Sequence, residues 1–501
     1  MSALSVATEQ CPSPHRSASA RLELWVWAAI AVFALLYALA FIGHRPLADP
    51  DEGRYAAAAW TMVESGNWFV PQLQGRPHLT KSPVSYWPSA VGLAWLGRNE
   101  TGARLGVGLG LALWILVVAA MARVIFERLS AAVVASAILA TSGLPFAAGS
   151  LVTADIWLAL CCALAVTAGG VALLRPQHRT TGVTLFWVGL GAAFFVKGPP
   201  GLLPLAGMLL AWPRRRVASS ADRFWAPLGI SMAAVIGTWW YLAMMASQPG
   251  AWRVFLHDEL YARIFSGQLR RNGPPWLPFS MLFLGTLPWN LVVLFRLRAW
   301  RPAFDQAWLR LLGGWVLAGL LVFTLSRSRQ PLYVLPLSTA VVVPAAGVIA
   351  SWLSGSRVRK LCLCVGVSAL AIFWIVLRYD AAGLPDYRHS RELARLVAAR
   401  HEATRDGVVL LQTRPLPGLE FYLGEQVRLV AWKRADLAEP HDFDREELIG
   451  EMRAGRRLVV VGRAETFQRF PADLTIVDRA HDRASDMDVA VLVSAPKEPA
   501  R

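Results

Sequence analysis

The sequence predicts an α-helical polytopic membrane protein with a small α/β domain at its C-terminal end. Three observations lead there. The 501 residues are 55% apolar and only 17% charged, with 22 tryptophans, too apolar a balance for a soluble chain of this size. Eleven apolar runs recur between residues 24 and 377. From Arg378 onward the composition returns to that of an ordinary soluble domain.

Residues 1–23 form a polar, Ser/Pro-rich tail, expected on the cytoplasmic side. The run 24–43 is uninterrupted and matches the about 20 residues that a helix needs to cross hydrocarbon. No small-residue cleavage site follows it, so it is expected to stay as a first span. Further runs are 105–122, 131–150, 151–174, 182–196, 199–212, 226–246, 276–295, 311–325, 332–353 and 361–377. Residues 84–96 are also apolar, but at that length an interfacial or partly inserted helix is expected.

Charge tests this choice. With a cytoplasmic N-terminus and 84–96 left uncounted, the cytoplasmic loops carry Arg123 and Arg128, Arg175 and Arg179, Arg214 to Arg216, Arg296, Arg298 and Arg301, and Arg357, Arg359 and Lys360. That is the positive-inside pattern, and counting 84–96 as a span would reverse it. The net charge of +16 is accounted for largely by these loops, which meet anionic membrane lipids, so no nucleic-acid partner is expected. Cys11, Cys161, Cys162, Cys362 and Cys364 lie in the tail or in apolar runs, which gives the exported region no disulfide framework. In residues 378–501, β-rich runs at 408–411, 427–430, 458–461, 474–477 and 489–493 alternate with helical stretches at 390–400 and 445–453, the pattern of a small α/β domain.

The outer loop 44–104 holds the densest polar cluster: Asp49-Pro50-Asp51-Glu52-Gly53-Arg54-Tyr55, then Glu64-Ser65-Gly66-Asn67-Trp68 and Lys81-Ser82-Pro83. Acids and bases held among membrane helices are costly, so a cluster of them points to a site. Asp51 fits either a catalytic carboxylate or a loop-fixing partner of Arg54, one helical turn away. Asp49 and Asp51 form a D-x-D triplet compatible with a divalent metal, although Asp-Pro-Asp is also common at turns. Asp155, just inside the outer end of its run, needs a partner or a cavity, or caps its helix. Lys81, Lys197, Arg263, Arg327 and Arg329 are outer-face cations that either snorkel to the interface or bind an anion.

These motifs resemble those of the bacterial aminoarabinose transferase and protein-mannosyltransferase superfamily. Its first outer loop reads approximately D-E-x-R-Y, E-S-G-D/N-W-x-x-P-x-L-N-G and F-E-K-P-P. Asp51, Glu52, Arg54 and Tyr55 match the first part; Glu64, Ser65, Gly66, Asn67, Trp68, Pro71, Leu73 and Gly75 match the second; Lys81 and Pro83 match the third. Phe195 to Pro199 is similar to an L-x-K-G motif around Lys197, and Glu259 to Arg263 to an E-H-x-x-R-F motif. Ser326 to Pro336 is similar to S-x-x-K/R-x-P-x-Y-x-L-P, which includes Tyr333.

The resemblance implies the C-type glycosyltransferase fold, with about 11–13 transmembrane helices, in the bacterial inner membrane and with residues 378–501 in the periplasm. It implies transfer of a sugar, in some relatives an amino sugar, from a polyprenyl-phosphate donor to a lipid or glycan acceptor such as lipid A. Asp51 and Asp155 would then be catalytic, and Glu52, Arg54, Tyr55, Lys81, Lys197, Arg263, Arg327, Arg329 and Tyr333 would bind substrate. A protein hydroxyl as acceptor stays open, as does a flippase of lipid-linked sugars, although the sequence lacks the internal repeat such transporters carry. Thr80 and Leu260 stand where relatives offer a Glu and a His thought to hold zinc, so no zinc site is expected. A reporter fused after Arg378 should be active only in its exported form; a cytoplasmic signal would show that a span is miscounted.

Overall fold

The computed structural model describes residues 14–211, 220–262, 273–296, 306–384, 388–404, 407–411, 415–425, 427–431, 443–468, 470–471, 473–483 and 485–494. Arg263 lies outside the described residues. The first helix, α1 (Pro14–Leu39), is followed by a long loop that contains α2 (Asp51–Ser65), a two-stranded ribbon of β1 (Gln72–Leu73) and β2 (Arg76–Pro77), and α3 (Trp87–Leu96). Then come α4 (Glu100–Phe126), α5 (Leu129–Thr141), α6 (Gly143–Ala148), α7 (Asp155–Leu174), α8 (Arg179–Lys197), α9 (Leu203–Ala211) and α10 (Ser220–Ser247). A π-helical segment, Arg253–Tyr261, leads to helices Leu277–Gly285, Trp289–Phe295, Gln306–Leu325, Ser338–Trp352 and Arg357–Asp380.

Among the described residues, eight helices are long and apolar enough to cross a membrane. The pair Leu277–Gly285 and Trp289–Phe295, bent by 101°, makes up to nine. The two other expected spans are the shorter apolar helices Leu129–Thr141 and Pro199–Ala211. The protein is therefore a multi-pass membrane protein. The ten residues of α3 rise only about 15 Å, half of what a span needs, as the length of the run 84–96 anticipated. This helix lies against α4 at van der Waals range: a Cβ on Gly92 would come 2.2 Å from the Gly102 carbonyl oxygen, so small residues set the approach. Asn99 caps α4 by accepting the Gly102 N–H at 2.8 Å.

The C-terminal sheet has six strands in the order β5-β4-β3-β6-β8-β7. They are β3 (Val408–Leu411), β4 (Arg428–Ala431), β5 (Phe443–Asp444), β6 (Leu458–Gly462), β7 (Leu474–Asp482) and β8 (Met487–Ser494). β4, β3 and β6 pair in parallel, and β8 runs antiparallel between β6 and β7. The parallel strands β3 and β6 are buried along their whole length, which explains their continuous Val/Leu runs. Helices Arg391–Thr404 and Arg445–Arg453 fall where the charged stretches predicted them. Helix Pro417–Leu423 was not foreseen, and it is the piece that packs on α2.

Glu420 in that helix is buried. Burial, aided by the charge of Asp49, pushes its carboxyl up from 4.5 to about 7. The folded protein thus keeps a proton that the unfolded chain loses above 4.5, and stability attributable to Glu420 falls as pH rises from about 4.5 through 7. Glu420→Gln should flatten that part of the profile, measured as melting temperature against pH beside the wild type.

Candidate active site

The first turns of α2 meet the ends of α7 and α8 at one end of the helix bundle, and a cavity of about 250 Å³ opens between them. Its wall includes Asp51, Arg54 and Tyr55 of α2, Thr80, Lys81 and Tyr86 of the same long loop, and Thr153 and Asp155 at the start of α7. Lys197 of α8, Glu259 of the π-helical segment, and Gln330, Leu332 and Tyr333 complete it. Among the described residues, six charged side chains thus converge, three acids and three cations, and each acid has a cation beside it.

Asp51 and Arg54 pair at 2.7 Å, with the Asp51 side chain 54% exposed. Lys81 reaches across to Glu259 at 2.7 Å. Asp155 and Lys197 form a tight, nearly buried pair, so Asp155 spends its carboxylate on the cation rather than on capping α7. Lys197 also lies 5.2 Å over the Tyr333 ring, a cation–π contact. It sits on the last turn of α8, which ends at Gly198 with φ +72°, a backbone region that glycine enters freely.

The Lys81 segment is fastened to the same helix end. Ser82 Oγ donates to the Phe195 carbonyl, and Ser85 Oγ donates to the Val196 carbonyl at 2.8 Å. Behind them, His78 Nε2 and Thr80 Oγ1 lie 2.9 Å apart. Burial, together with Arg54 and Lys81, pulls the His78 imidazole down to about 4, so it is neutral near pH 7. The Tyr55 and Tyr86 rings lie 5.2 Å apart, and burial raises both phenols above their usual range.

The comparisons with known proteins agree on one group. Residues 80–241 match a family model described as dolichyl-phosphate-mannose-protein mannosyltransferase. An undecaprenyl phosphate-alpha-4-amino-4-deoxy-L-arabinose arabinosyl transferase from Edwardsiella ictaluri is 28% identical over 70% of this chain and 65% of its own length. One from Pseudomonas fluorescens is 30% identical over 70% of this chain and 62% of its own. The crystal structure of ArnT from Cupriavidus metallidurans bound to undecaprenyl phosphate superposes with a TM-score of 0.75 at 22% identity, covering 93% of this chain and 97% of that one. The chain is similar to members of the aminoarabinose transferase and protein-mannosyltransferase superfamily. It spans less than two thirds of the length of these two curated relatives.

Within the superfamily pattern, the structure brings Asp51, Arg54, Tyr55, Lys81, Asp155, Lys197 and Tyr333 together around the cavity. Glu52, Arg327 and Arg329 are not among its lining. Glu52 is 1% exposed and faces the bundle. Its carboxylate binds Arg104 through two contacts, at 2.9 and 3.0 Å, and Arg45 at 2.5 Å. Burial alone would raise Glu52, but Arg104 and Arg45 outweigh it and hold the carboxyl down at about 2. Arg329 donates to the carbonyls of Thr324 and Gly273, while Arg327 is exposed.

The D-x-D pair does not offer a shared metal site. Asp49 is 2% exposed and its carboxylate is bound by Ser390 and the Gly418 N–H, whereas Asp51 faces the cavity. Among the described residues no cluster of three or more His, Cys, Asp or Glu side chains has metal-binding geometry. Thr80, one of the departures from the family pattern, pairs with His78, and the neighbouring Ser82 donates to the Phe195 carbonyl. Thr80, Tyr86, Thr153, Glu259, Gln330 and Leu332 line the cavity without having been assigned from sequence. Glu259 stood in a recognised motif, which was the signal available.

Lys197→Met should strand the nearly buried Asp155 carboxylate and destabilise the protein by about 3–5 kcal/mol. The double variant Asp155→Asn/Lys197→Met should regain most of that loss. Thermal unfolding in detergent, compared across the three proteins, checks it.

Proposed function

We propose that the protein transfers a 4-amino-4-deoxy sugar from a polyprenyl-phosphate donor to lipid A at the periplasmic face of the bacterial inner membrane. The observation that carries this reading is the cavity of paired acids and cations at the bundle end, in a chain whose fold is that of ArnT. The relatives' names give the donor class, undecaprenyl phosphate carrying 4-amino-4-deoxy-L-arabinose.

In this reading the acceptor oxygen attacks the anomeric carbon of the sugar, and the bond from that carbon to the phosphate oxygen breaks. The leaving polyprenyl phosphate goes from one negative charge to two. Cations placed where charge develops lower such a barrier, and Lys81, Lys197 and Arg54 are the lining cations available. Exposed Asp51 orients the acceptor, or takes its proton where the acceptor is a hydroxyl. Asp155 keeps the Lys197 ammonium in place. Arg327 and Arg329 keep the donor-binding role that the motifs imply only as contacts outside the cavity lining, since Arg329 holds backbone carbonyls and Arg327 is exposed.

Charge balance favours an amino sugar. Among the described residues the lining carries three carboxylates and three cations, and a donor phosphodiester brings one more negative charge. An ammonium on the sugar restores neutrality, whereas a neutral sugar leaves the excess uncompensated in a partly desolvated site.

The test is transfer by the purified protein, with mass spectrometry of lipid A, alongside the lipid A of a deletion strain. Asp51→Asn should lower turnover by about 10²–10⁴ while keeping affinity for undecaprenyl phosphate. Lys81→Ala and Lys197→Ala should weaken that affinity at least about tenfold, the loss expected for a charge-assisted contact of roughly 1.5–3 kcal/mol. Unmodified lipid A with glycosylated protein would favour a protein acceptor instead.

A further inference from the structure

Asp49 stands two residues before Asp51 in a polar outer loop, yet it is almost completely buried. Its burial partner is the C-terminal domain. The carboxylate accepts the Gly418 N–H at 2.7 Å and the Ser390 hydroxyl, and so serves the start of helix Pro417–Leu423, whose own flanking residue Leu416 provides no side-chain cap. The backbone joins in. The Asp49 N–H donates to the Arg388 carbonyl at 2.8 Å, and Ala48 forms an antiparallel bridge with His389.

The approach leaves no room for other side chains. A Cβ on Gly53 would come 2.1 Å from Asp49 Oδ1 and 2.4 Å from the Gly418 nitrogen, and one on Gly418 would come 2.5 Å from Asp49 Oδ2. Gly53, in the middle of the Asp-Glu-Gly-Arg-Tyr motif, is thus the face of α2 on which the C-terminal domain rests. A second hold lies beside it. Tyr422 OH accepts the Leu47 N–H at 2.9 Å and donates to Glu100 at 2.9 Å, and Arg391 pairs with Glu100 at 2.6 Å. From the same turns of α2, Asp51, Arg54 and Tyr55 face the cavity.

We propose that Asp49 is a positioning residue: it pins α2 to the C-terminal domain, and the domain thereby holds Asp51, Arg54 and Tyr55 in reacting geometry. The kinetic consequence rests on the transfer reaction proposed above; the anchor itself does not. A displacement of about 1 Å in a reacting group costs up to roughly 10²-fold in rate, so the anchor acts on turnover rather than on donor capture.

The experiment uses the full-length protein in nanodiscs and reads hydrogen exchange by mass spectrometry together with kinetics. In Asp49→Ala, exchange in residues 51–65 should rise while α4 and α7 keep their protection. The kcat should fall about 10- to 100-fold, with affinity for undecaprenyl phosphate changed less than threefold. Asp49→Asn, whose remaining oxygen still accepts the Gly418 N–H, should recover most of the rate; Asp49→Glu, too long for the gap beside Gly53, should not. Where Asp49→Ala fails to accumulate, Tyr422→Phe reads the same seam in the same direction. Unchanged protection of 51–65 overturns the anchor whatever the reaction is, and raised exchange with wild-type kcat overturns the positioning role. A failure of the sugar-transfer reading would leave the exchange result standing.

Discussion

The buried network of Glu52 with Arg104 and Arg45 fixes the frame on which the cavity end of the bundle is built. Arg104 grips both oxygens of Glu52 and also donates to the carbonyls of Ile42, Arg45 and Pro46, while Glu52 accepts the backbone N–H groups of Ala48 and Val152. One carboxylate thereby ties the exit of α1, the start of α2, the first turn of α4 and the approach to α7. A buried pair earns stability only when its remaining donors and acceptors are satisfied, and the many partners of this one meet that condition. Removing either member would leave an uncompensated charge at the junction of four segments.

With Glu52 fixed inward, the helical rotation of about 100° per residue distributes its neighbours. Asp51, Arg54 and Tyr55 turn to the cavity, and Gly53 turns to the C-terminal domain. Five consecutive residues therefore serve three environments: the bundle, the cavity and the domain seam. This division explains why a short polar motif can carry so much of the site.

The long helices were legible as apolar runs, most of them flanked by arginines, and the short α3 was legible from the length of the run 84–96. The parallel core strands β3 and β6 announced themselves as unbroken Val/Leu runs. Helix Pro417–Leu423 was not, since it begins at Pro417 and takes its cap from Asp49, which no local pattern reveals. In the site, charge and motif located Asp51, Asp155, Lys81 and Lys197. They did not separate Glu52 or Arg329 from the lining residues, because a carboxylate that binds substrate and one that binds Arg104 read alike in sequence. The fate of Asp49 was equally hidden: its carboxylate is held by Ser390 and Gly418, 341 and 369 residues away.

The pairing of every lining acid with a cation has a consequence for how a ligand arrives. Opposite charges a few ångströms apart cancel at a distance, so the mouth of the cavity projects little field beyond a Debye length of about 8 Å at physiological salt. Long-range steering, which hastens the capture of charged solutes and weakens steeply with ionic strength, has little to act on here. A lipid-linked anion, the donor class proposed above, would not need it: diffusion in the plane of a bilayer already reduces its search to two dimensions, and the lysines would act only on contact.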